Sequence, residues 1–91
     1  MDIFTQLAEK IIKEQELIIG PVAYEQARKV EGLEVANSGS VKITGNAKDV
    51  LKRLVEQYEK LFGRTSIEVC KEAVRSVKSQ FSKDDLPAIL Q

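Results

Sequence analysis

The stretch from Ala47 to Phe81 constrains this fold more than any other, because it carries two helical apolar stripes separated by one stop-and-start signal. In its first half Ala47, Val50, Leu51, Leu54, Val55, Tyr58, Leu61 and Phe62 recur at steps that keep one broad face apolar. In its second half Ile67, Cys70, Val74, Val77 and Phe81 make a narrower stripe, the shape of a seam between two helices. Between them lies Gly63-Arg64-Thr65-Ser66. The glycine ends one helix, and Thr65-Ser66-Ile67-Glu68 has the form of a capping box that opens the next. So short a connector sets the two helices side by side and antiparallel. The spacing predicts helices over 46–62 and 66–81, with Asn46 as the cap of the first and Asp49 in its first turn.

Upstream, Ile3, Phe4, Leu7, Ala8, Ile11 and Ile12 form a helical stripe that Asp2 can cap, and the phase runs on to Ile18 and Ile19. A helix over 2–19 is the reading; a short buried strand at Leu17-Ile18-Ile19 is the alternative, since that run is partly β-branched and bounded by Gly20-Pro21. Pro21 suits a restart, so a short helix over 21–31 follows, with Gly32 closing it. Leu33-Glu34-Val35-Ala36 and Val41-Lys42-Ile43-Thr44 alternate apolar and polar residues around the turn Asn37-Ser38-Gly39-Ser40, which predicts a β-hairpin over 33–44. Two strands alone are hardly stable in water, so the hairpin must lie on the helices or pair across a dimer. Its edges are natural docking sites for other strands. After Phe81, Ser82-Lys83-Asp84-Asp85 breaks the pattern, and residues 86–90 are a brief apolar tail. The fold class is therefore mainly α (α+β): a single domain of three to four helices, with a small hairpin inserted before a long antiparallel helix pair.

A chain of 91 residues buries a modest core, and association would reinforce it. Its 14 basic and 14 acidic residues cancel, which argues against a general nucleic-acid binder and against a polybasic membrane anchor. The segment from Arg64 to Lys83 is locally basic, with Arg64, Lys71, Arg75, Lys78 and Lys83 against Glu68 and Glu72. Cys70 is the only cysteine, so no disulfide framework exists. The first residues lack the basic and small-residue features of a secretory signal, and no apolar run approaches the roughly 20 residues of a spanning helix. A cytoplasmic protein with no membrane partner is the expectation.

Catalytic chemistry has little to work with. Histidine is absent, which removes the commonest general base and metal ligand. Cys70 lies on an apolar stripe, where a thiol is ordinarily an inert small hydrophobe. Gly20-Pro21 and Gly45-Asn46 stand beside helix starts but lack the spacing of a phosphate-binding loop. Glu56 and Glu59 share a polar helix face with Arg53 and Lys60, as solvated charges do. No catalytic residue, cofactor or metal is assigned. The apolar surface on offer exceeds what so small a core absorbs, so the reading is a small non-catalytic protein-interaction or adaptor module that forms a homodimer or binds another protein. Its contact residues are placed at Val35 and Ile43 on the hairpin and at Phe81, Leu86, Ile89 and Leu90 at the C-terminal end. The alternative is nucleic-acid or anion binding along the ridge of Arg64, Lys71, Arg75 and Lys78.

Overall fold

The computed structural model describes residues 3–81 and 86–90, apart from the side chain of Lys78. The expected cap at Asp2 and the break over Ser82-Lys83-Asp84-Asp85 lie outside the described residues. In chain order the elements are α1 (Ile3–Ile19), α2 (Val22–Ala27), β1 (Leu33–Val35), β2 (Val41–Ile43), α3 (Ala47–Phe62) and α4 (Thr65–Arg75). Among the described residues two 3₁₀ turns follow, at Lys78–Gln80 and Ala88–Leu90. The described part is mainly α, with four helices and one small antiparallel hairpin set between them.

Helix α1 runs unbroken to Ile19, so Leu17-Ile18-Ile19 is helical rather than a strand. Its apolar stripe, Leu7, Ala8, Ile11 and Ile12, is buried, and it packs against α4, α2 and β2. Helix α2 is shorter than the spacing predicts. Past Ala27 the N–H of Lys29 donates to the carbonyl of Gln26 (3.1 Å) and that of Val30 to Ala27 (3.1 Å). These three-residue bonds tighten the coil into turns that deliver Gly32 to the start of the hairpin.

The strands pair Leu33 with Ile43, Glu34 with Lys42 and Val35 with Val41. Leu33 and Val41 face the core while Glu34 and Lys42 face solvent, the period-two pattern of a hairpin lying on helices. Asn46 caps α3 as expected, its side-chain oxygen accepting from the N–H of Asp49 at 3.0 Å. From α3, Val50, Leu51, Leu54, Val55 and Tyr58 are buried, and α4 returns against them with Cys70, Ala73 and Val74.

Helix α4 differs from expectation at both ends. The N–H of Gly63 donates to Glu59 at 2.8 Å, and Arg64 already has helical angles (φ −62°, ψ −28°), so the helix begins at Thr65 with no side-chain cap. The capping box does not form, because its cap residue Thr65 is already a helical residue behind Arg64. At the other end the hydroxyl of Ser76 donates to the carbonyl of Ala73 at 2.8 Å, and Val77 bonds back to Val74 at 2.9 Å. A hydroxyl that satisfies a carbonyl locally competes with the helical ladder, and the chain passes into a 3₁₀ turn. Phe81 still reaches the core, where its ring meets that of Phe4 edge to face, with centroids 5.4 Å apart. Among the described residues no helix is long and apolar enough to cross a membrane.

Candidate functional site

Most of the apolar stripes close on one another; two helix ends do not. Leu17 is 74% exposed and Ile18 63% on the last turn of α1, while Leu61 is 47% and Phe62 38% exposed on the last turn of α3. Three of the four continue core-facing stripes beyond the last partner. Ile18 follows Gln15 by three positions, and Leu61 and Phe62 follow Tyr58 by three and four.

Gln15 and Tyr58 belong to one buried layer, which puts these side chains at the same end of the bundle. The amide Nε2 of Gln15 donates to the Ser66 carbonyl at 3.1 Å and to Cys70 Sγ at 3.5 Å. The Tyr58 hydroxyl donates to the Ala23 carbonyl at 2.7 Å. One polar tie thus joins α1 to α4 and a second joins α3 to α2, and the chain exposes apolar side chains one turn past them. The layer itself offers no reactive group. Burial pushes the Cys70 thiol up to about 11, with the Gln15 hydrogen bond acting the other way, so at neutral pH it is a protonated and inert thiol. Burial, with Cys70 beside it, likewise raises Tyr58 well above the ordinary tyrosine range.

The six contact residues read from the sequence lie elsewhere and face inward. Leu86 and Leu90 are buried in the chain's own core, and Val35, Ile43, Phe81 and Ile89 pack against it half-buried. The tail thus helps to close the domain. The hairpin edges are also engaged. Glu9 of α1 accepts from the N–H of Val41 at 3.0 Å on the outer side of β2. Arg28 donates to the carbonyl of Val35 at 3.4 Å, and the Leu33 N–H is taken by Val30 at 3.2 Å, both on the outer side of β1. An incoming strand would have to displace these groups.

The basic ridge is interrupted. Arg75 is paired with Glu72, Lys71 is half-buried and Arg64 is exposed at the start of α4. Lys78 lies in the 3₁₀ turn, and its side chain lies outside the description. The Gly45-Asn46 site borders an open cleft of about 350 Å³ that includes Asp49 and Arg53. Asn46 already satisfies the helix start there, Arg53 donates to the Glu31 carbonyl at 3.4 Å, and the Asp49 carboxylate disfavours an anion. At Gly20-Pro21 the first amides of α2 are used by the turn itself: Ala23 bonds to Gly20 and Tyr24 to Pro21, each at 3.0 Å. No group of three potential metal ligands occurs among the described residues.

Gln15 escaped the sequence reading although a signal for it existed, since position 15 shares the phase of Ala8, Ile11 and Ile12. Leu61 and Phe62 share the phase of the α3 stripe and are nevertheless exposed. Periodicity fixes which way a side chain points and is silent on whether a partner stands opposite. No family model matches the chain, nor does any curated protein or solved structure.

Proposed function

We propose that this chain is a non-catalytic protein-interaction module that works in the cytoplasm and docks through the apolar end formed by Leu17, Ile18, Leu61 and Phe62. The observation that carries the proposal is their exposure, with four large apolar residues open to water on the last turns of α1 and α3. A cluster of this kind is costly to leave in water, and burial against a partner recovers that cost. Beneath it the hydrogen bonds of Gln15 and Tyr58 tie α1 to α4 and α3 to α2, which lowers the cost of ordering these helix ends on docking. A lone buried thiol suits a reducing compartment.

The test is a photo-cross-linking side chain placed at Leu61 in the full chain, with a second placed at exposed Glu34 on the hairpin as control. Adducts with a protein are expected from position 61 and not from position 34. Adducts at neither position, or equally at both, overturn the reading.

A further inference from the structure

We draw no further inference here: the strongest candidate, the apolar patch of Leu17, Ile18, Leu61 and Phe62 on the last turns of α1 and α3, belongs to the surface already described, and nothing in the structure shows what covers it.

Discussion

Replacing Gly32 by alanine should cost about 3 kcal/mol of stability, and the estimate can be assembled from the geometry. Gly32 has φ +87°, and its carbonyl accepts from the Thr44 N–H at 2.8 Å, closing the base of the hairpin. An alanine held in the left-handed region costs about 1–2 kcal/mol in backbone energy alone. A Cβ there would also stand 2.8 Å from Val50 Cγ2 and 2.9 Å from the Thr44 carbonyl oxygen. Val50 is buried and the oxygen is backbone, so neither can swing aside, and relief requires the strand to move. Crowding of this kind costs roughly 1–3 kcal/mol, while the smaller entropy of the unfolded chain returns about 0.4–1 kcal/mol. Gly45 provides the control, since its φ is +88° and nothing lies within 4 Å of its Cβ position. Gly45→Ala should therefore show only the backbone cost, about 1 kcal/mol. Urea unfolding at neutral pH measures both, and thermal unfolding should place Gly32→Ala roughly 15 °C below the parent. If Gly32→Ala is no less stable than Gly45→Ala, the close approach at the hairpin base is refuted.

Three further outcomes are expected. Gln15→Ala should destabilise by about 2–3 kcal/mol through a cavity and lost hydrogen bonds, whereas Gln15→Leu, of similar volume, should stay within about 1 kcal/mol of the parent; equal losses in urea unfolding would show that polarity rather than packing holds the layer. Stability should be intact below pH 9 and fall as the pH rises toward 11, because the Cys70 thiol titrates near 9 when unfolded and near 11 when folded. The slope is roughly 1.4 kcal/mol per pH unit, about 3 kcal/mol in all, and buried Tyr58 adds to it above pH 10; Cys70→Ala should flatten the segment from pH 9 to 11, and an unchanged slope in that variant would discount the thiol. Glu9→Ala should selectively speed amide exchange at Val41, with a loss of about 1 kcal/mol, and retained protection there would mean that the carboxylate does not guard the strand.

Much of the architecture was legible because it depends on local signals. The Asn46 cap, the stripe from Val50 to Tyr58 and the turn at Gly39 each act within a few residues, and each appears where its chemistry places it. The end of α4 was less legible, since apolar phase continues through Val77 and Phe81 while the Ser76 hydroxyl breaks the ladder between them. Which apolar side chains end up exposed was the least legible of all. Leu86 and Leu90 looked surplus because no local pattern shows that the tail turns back to pack on α4 and join the core. Ile18, Leu61 and Phe62 looked buried because their phase is right, but α1 and α3 each run one turn beyond the element that would cover them. Such lengths are a property of tertiary assembly, and no window of sequence carries them.

The two side chains that occupy the hairpin's outer edges, Glu9 and Arg28, both precede the hairpin in the chain. Synthesis runs from the N-terminus, so α1 and the turn after α2 leave the ribosome before either strand exists. The strands therefore emerge beside groups already able to satisfy their outward-facing polar atoms. Chain order here acts as a timing device: the interval in which a bare strand edge can recruit a neighbouring nascent chain is short from the outset. Moving α1 behind the hairpin by circular permutation would leave the folded contacts available yet open that interval, and its signature would be aggregation during expression rather than lower stability after purification.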